Sequence, residues 1–226
     1  MGGQFHFAME PQTTVCIPFE DQLFVKCSTQ WIDGTQIAIS RCLNIPECRI
    51  NITVPRTGGA FGGKITRSLQ VACACALGSF LTNRPVRFVM SLKSNITVMG
   101  KRPGLASEYS IDINDDGKVQ KLKNDFTSDL GCSKNESTVQ FTAMAFKSCY
   151  DGDSWNVTTH EAITNAPGST TCRAPGTTEA ISMVENIMEH IAFACGKDPA
   201  TVRLNNIPAD SEIKQMLSDF IKDTGF

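Results

Sequence analysis

Between a run that alternates like a strand and a run spaced like a helix lie Gly58-Gly59-Ala60-Phe61-Gly62-Gly63-Lys64, a loop dominated by glycine and ending in a cation. A loop so placed offers backbone N–H groups that no regular element uses, which suits an anion or an oxo group. Nucleotide phosphate fits poorly. The G-x-x-x-x-G-K-[ST] spacing is absent, Ile65 stands where a hydroxyl would hold Mg²⁺, and the loop is not GxGxxG. A tight turn whose glycines only let strand and helix pack closely explains the same residues equally well.

The cysteines offer less chemistry. There are 10 of them in 226 residues, and no pair has the C-x-x-C spacing of a zinc or iron–sulfur site. Cys73 and Cys75 on one helix would point their thiols apart. Several sit among apolar neighbours, and the expectation is reduced, buried thiols in a cytoplasmic protein with no metal bound directly. N-x-S/T sequences at Asn51, Asn95, Asn135 and Asn156 would suit a secreted glycoprotein, but Met1 to Phe7 has neither the basic nor the apolar region of a signal peptide. A formal charge of -2 gives no reason to expect nucleic acid or an anionic membrane surface. The longest apolar run, Val71 to Leu81, falls short of the roughly 20 residues that span a bilayer.

The elements that must position the loop follow from periodicity. Thr13 to Pro18, Leu23 to Ser28 and Arg49 to Val54 read as strands, and Gln30 to Leu43 as a helix. After the loop, Ile65 to Leu81 reads as a helix whose Ala and Cys side chains permit close packing. Val86 to Met90 reads as an apolar strand of the buried kind. Ser107 to Ile113 and Lys118 to Phe126 alternate on either side of Asn114-Asp115-Asp116-Gly117, a hairpin. Ser128 to Gly168 reads as polar and irregular. Thr178 to Ala194 is a one-faced helix capped by Gly196, Asp198-Pro199-Ala200 starts another to about Asn206, and Ser211 to Thr224 is amphipathic. Strands and helices mix without regular alternation, so the expected class is α+β, with mixed sheets and packed helices. Aromatic, structured sequence from the first residues and a last helix without a tail give the expectation of a fragment of a longer protein.

Three segments occur in a fixed order. Gly2-Gly3-Gln4-Phe5-His6-Phe7-Ala8-Met9-Glu10 comes first, Arg56-Thr57 with the loop second, and Thr171-Cys172-Arg173-Ala174-Pro175-Gly176 third. This ordered set resembles the molybdenum hydroxylases, the family of xanthine dehydrogenase and aldehyde oxidase, over essentially the whole chain. Glu185-Asn186-Ile187-Met188-Glu189-His190 and Val202-Arg203-Leu204-Asn205-Asn206 extend the likeness. The resemblance implies that residues 1–226 form the first part of a molybdopterin-binding domain. It implies that Gln4 donates to the apical oxygen of molybdenum, that the backbone at Ala60 and Phe61 lies over the metal ligands, and that Arg173 lines the pocket. An uncharged amide and a fixed, always-charged guanidinium suit those roles. His6 fits the first segment and is expected to be structural.

Departures from the family's pattern bear on substrate. The purine-binding members carry a glutamate immediately after the loop lysine, where this chain has Ile65. They carry an arginine before a phenylalanine, where this chain has Ala143-Met144-Ala145-Phe146. Removing both polar anchors should disfavour a purine by roughly 10⁴-fold or more and leaves an apolar pocket suited to aldehydes. Pro175 stands where a phenylalanine usually stacks on the substrate, so that wall must differ. The resemblance thus implies oxidative hydroxylation of an aldehyde to a carboxylic acid, within a longer homodimeric enzyme. Its 2Fe-2S clusters and FAD would lie upstream and its base glutamate beyond Phe226, leaving no catalytic residue here and an inactive isolated chain. A purine hydroxylase and a degenerate, pterin- or anion-binding paralogue are the alternatives.

Overall fold

The computed structural model describes residues 2–225. The first layer is a four-stranded sheet in the order β3-β2-β1-β4. β1 (Thr13–Phe19) and β2 (Gln22–Cys27) form a hairpin, with Ile17 opposite Phe24. β3 (Ile50–Thr53) joins β2 in parallel after a helical crossover, and β4 (Val86–Val89) closes the other side of β1 antiparallel. Alternation along β2 sends Leu23, Val25 and Cys27 inward. There they meet Ile39 and Leu43 of α1 (Ile32–Leu43) and Ala72, Cys75 and Ala76 of α2 (Arg67–Thr82). Full burial of a side chain such as Val25 or Ile39 contributes about 1.5–3 kcal/mol. The small residues of α2 let that helix lie close to the sheet, as its composition predicts. Cys16, Cys27 and Cys75 pack here as small apolar groups, whereas Cys42, Cys48 and Cys132 are exposed.

The second layer is a three-stranded sheet in the order β5-β6-β7. β5 (Leu105–Ile113) and β6 (Val119–Asp129) pair antiparallel across the expected turn, where Asn114 accepts from Gly117 and donates to the Lys118 carbonyl. Gly117 has φ +71, which a glycine adopts freely. Leu122 and Phe126 of β6 pack against Val184, Ile187, Met188 and Ile191 of α5 (Thr177–Cys195). Asp198 caps α6 (Pro199–Asn206) by accepting from the Thr201 amide, and α7 (Glu212–Thr224) follows. The architecture is the α+β mixture that the periodicity predicts. Among the described residues no helix is long and apolar enough to cross a membrane.

Two expectations fail. Val86 to Met90 is no buried strand: β4 is an edge strand with Arg87 in it, and Phe88 and Val89 are 41% and 40% exposed. The stretch from Ser128 to Gly168 is not irregular. It holds α4 (Val139–Ala145) and β7 (Trp155–Ala162), the latter parallel to β6. None of the β7 side chains is fully buried, so no apolar alternation marks it. A short helix, α3 (Leu92–Val98), also escapes the periodicity. Ser91 caps it by accepting from the Ser94 amide.

Candidate functional site

β3 delivers the chain into the glycine loop and α2 takes it away, starting at Arg67 because residues 61–66 are still turning. Side chains from the preceding segments fix the loop. Gln30 Oε1 accepts from the amides of Gly62 and Lys64 at 3.0 and 3.2 Å, and Gln12 Nε2 donates to the Gly63 carbonyl at 2.8 Å. Lys64 does not face outward. Its ammonium is buried and donates to Glu10 Oε2 at 2.7 Å and to Ser28 Oγ at 2.9 Å, while Glu10 also accepts from the Gly58 amide. Burial pushes the Glu10 carboxyl up, but the hydrogen bonds from Lys64, Ser28 and Gly58 outweigh it and hold the group below its ordinary value. The lysine that invited comparison with a phosphate loop is a staple for the loop's own backbone.

The three segments meet at this loop. A Cβ on Gly62, at φ +99, would fall 2.3 Å from the Thr171 carbonyl oxygen, and one on Gly63 would fall 2.9 Å from the His6 ring. Only glycine permits that approach. The Arg173 amide donates to the Phe61 carbonyl at 2.9 Å. His6 Nε2 donates to the Thr171 carbonyl at 2.7 Å, and burial lowers its pKa from 6.5, so the ring is a neutral clamp. Glu136 adds a further tie, accepting from Thr66 Oγ1 and the Thr171 amide at 2.6 Å each.

The residue that binds the first segment to the third is Arg102, which sequence reasoning passed over. It lies in Gly100-Lys101-Arg102-Pro103, a turn with no periodic signal to flag a buried charge. Its amide donates to the Gln4 carbonyl at 2.8 Å and its Nε to Gln4 Oε1 at 2.9 Å. Its other nitrogens donate to the carbonyls of Arg173 and Ala174 and, at 2.9 Å, to Glu179 Oε2. The side chains of Arg102 and Glu179 are 4% and 1% exposed. An arginine fork can satisfy several acceptors at once from one fixed plane.

Each segment also holds one residue in left-handed backbone that is not glycine: Phe7 at φ 52, Phe61 at φ 55 and Ala174 at φ 55. Such a conformation costs about 1–3 kcal/mol and persists where surroundings impose it. Three of the seven left-handed non-glycine residues among the described ones thus lie in the segments that meet here. Among the described residues the amides of Gly59, Ala60 and Phe61, the Nε2 of Gln4 and the guanidinium of Arg173 have no acceptor. The outcome is a set of free donors, with the local acceptors turned inward onto Arg102, Arg173 and the loop.

The family model for the molybdopterin cofactor-binding domain matches residues 1–207. The chain belongs to this family. Its relatives include indole-3-acetaldehyde oxidase of Zea mays, 35% identical over 207 residues, covering 90% of this chain and 15% of the relative. Aldehyde oxidase 4 of Arabidopsis thaliana is 35% identical over 209 residues, covering 92% of this chain and 16% of the relative. The chain therefore spans only about a sixth of the length of these relatives. The aldehyde oxidoreductase from Desulfovibrio gigas superposes on 99% of this chain and 31% of its own, with TM-score 0.85 at 19% identity, a likeness of fold.

The site fits a molybdopterin-bound metal in its chemistry. Unpaired N–H donors on uncharged groups, with one exposed guanidinium, suit an oxygen-rich, anionic group. Gln4, Phe61 and Arg173 are drawn together by Arg102 and by the Arg173–Phe61 bond, and Ala60 closes the loop by accepting from the Gly63 amide at 2.9 Å. Pro175 lines a shallow hollow of about 410 Å³ with Phe141, Met144, Ala145 and Thr177. Ala143 is half-buried on the same short helix, which is pressed onto the third segment. A Cβ on Gly176 would lie 2.6 Å from both Phe141 Cβ and the Thr142 nitrogen. Ile65 sits half-buried at the exit of the loop.

Proposed function

We propose that this chain forms one wall of the molybdenum site of an enzyme that oxidises aldehydes to carboxylic acids. The observation that supports the reading is the set of unpartnered donors at Gln4, Gly59, Ala60, Phe61 and Arg173, with Ile65 half-buried at the exit of the same loop. When bound, the molybdenum centre supplies oxidative hydroxylation. The chain's own residues bind and orient. With the group bound, the Gln4 amide would donate to an oxygen of it without adding charge, the amides of Gly59 to Phe61 would offer further N–H donors, and Arg173 would hold an anionic edge. Ile65, Ala143 and Pro175 give the substrate side apolar surface in place of hydrogen-bonding anchors, which favours a small aldehyde over a purine.

The parts that complete the reaction belong to the remaining length of a longer polypeptide, in keeping with the small share of its relatives that this chain spans. These parts are a base glutamate, 2Fe-2S clusters and FAD, in a cytoplasmic homodimer. Steady-state turnover tests this. The 226-residue chain given an aldehyde and an artificial electron acceptor should show none, and clear turnover would overturn the division of labour. In the longer polypeptide kcat/KM should favour aldehyde over purine, with Ile65→Glu narrowing the ratio. A wild-type preference for purine would refute the substrate assignment.

A further inference from the structure

Gln4 has two faces that differ in sign. Its carbonyl oxygen accepts and its nitrogen donates, and a free side-chain amide presents either one by turning over. Here the choice is made by a neighbour that has no acceptor atoms. Arg102 Nε lies 2.9 Å from the Gln4 side chain, so the atom it meets must be Oε1, and Nε2 is left facing away without a partner among the described residues. The same arginine holds the Gln4 backbone carbonyl at 2.8 Å, so the residue is gripped at both ends. Glu179 Oε2 lies 2.9 Å from Arg102 Nη1 and is as deeply buried as the arginine. The pair is neutral as a unit. An arginine alone in that place would add a positive charge beneath the first segment.

We propose that Arg102 is a positioning residue for the cofactor: it makes Gln4 present N–H₂ rather than oxygen to the metal's oxo group, while Glu179 cancels the charge. This rests on the molybdenum-site reading above. It explains why so deeply buried a cation reaches Gln4, Arg173 and Ala174 together, when a surface lysine or a neutral donor could have tied the segments alone. It also divides labour between two arginines, Arg173 exposed and charged toward the site, Arg102 buried and neutralised behind it.

The test has two arms, the first on the 226-residue chain and the second on the longer polypeptide. Without cofactor, through-hydrogen-bond NMR coupling between Arg102 Nε and the Gln4 side-chain carbonyl carbon should be present. Its absence overturns the proposal whatever the cofactor does. With molybdopterin cofactor, affinity is measured for wild type, Q4A, the paired swap R102M/E179L and the triple variant. The paired swap removes both buried charges, so the fold survives the loss of the arginine. Q4A and the paired swap should each weaken binding about tenfold, and the triple variant no more than about tenfold, because one bond is being lost three ways. A triple variant weakened by the product of the two losses makes Arg102 merely structural and overturns the proposal. Retained R102K binding within a few-fold of wild type supports it, since lysine also only donates. Failure of the wild-type longer polypeptide to bind cofactor counts against the molybdenum-site reading instead, and the cofactor-free NMR arm then decides the positioning claim by itself.

Discussion

Two cations hold this site together, and they are buried to different degrees on their acidic sides. Lys64 staples the glycine loop, with its own side chain 3% exposed but its partner Glu10 34% exposed. Arg102 clamps the first segment to the third, with 4% exposure against 1% for Glu179. Water can reach Glu10 and replace part of what Lys64 gives it. It cannot reach Glu179, whose Oε1 has no partner among the described residues. The loop side is thus held by a bond that tolerates loss, and the Gln4 side by one that fails when a single partner goes. Permanence falls on the contact that sets direction, while the loop, whose backbone glycines already constrain it, needs only a fastener.

The sharpest way to break this contrast is to remove one member of the deeper pair. Arg102→Met or Glu179→Ala should cost about 3–5 kcal/mol in denaturant unfolding, because each leaves a buried charge alone. A cost below about 1 kcal/mol would erase the distinction drawn here. Lys64→Met should cost less, about 1.5–3 kcal/mol, the range for hydrogen bonds to a charged group, and should raise the mobility of Gly58 to Lys64 in amide exchange. Ala174→Gly goes the other way. Relieving φ 55 at an exposed alanine should raise stability by about 1 kcal/mol. No gain in the melting midpoint would show that the third segment is not held against its preference.

The gentlest effect is one of pH. Burial lowers the His6 pKa in the folded state from 6.5, so the unfolded chain binds more protons than the folded one. Stability is full above 6.5 and falls as pH drops below it, and His6→Gln should flatten that part of the profile. An unchanged pH profile in the variant would remove His6 as its source.

What could be read from the sequence follows from what repeats. The β5–β6 hairpin announces itself by alternation around Asn114 to Gly117, and α5 by its apolar face and Gly196. Both depend on local patterns that packing enforces. The loop and its two companion segments are legible because their residue types recur in order. β4 and β7 misled in opposite directions for one reason, that neither strand buries a face fully, so Val86 to Val89 could be mostly apolar yet exposed and Trp155 to Ala162 polar yet regular. α3 and α4 are seven residues each, too short for helical spacing to emerge. Arg102 and Glu179 were invisible because their partners lie far off in the chain, and no spacing marks an ion pair that only the folded chain assembles.

That separation has a consequence for how the protein reaches its native state. The bonds that close the site link residues 98, 77 and 165 positions apart. Each is a long loop closure made late and at an entropic cost, so the hairpins and helices can form while Gln4, Phe61 and Arg173 are still unrelated. A refolding chain should therefore recover its far-ultraviolet circular dichroism before the amides of the joined segments gain protection in pulsed hydrogen exchange. During synthesis, no amount of the amino-terminal part alone can assemble the site. It exists only once Glu179 has emerged.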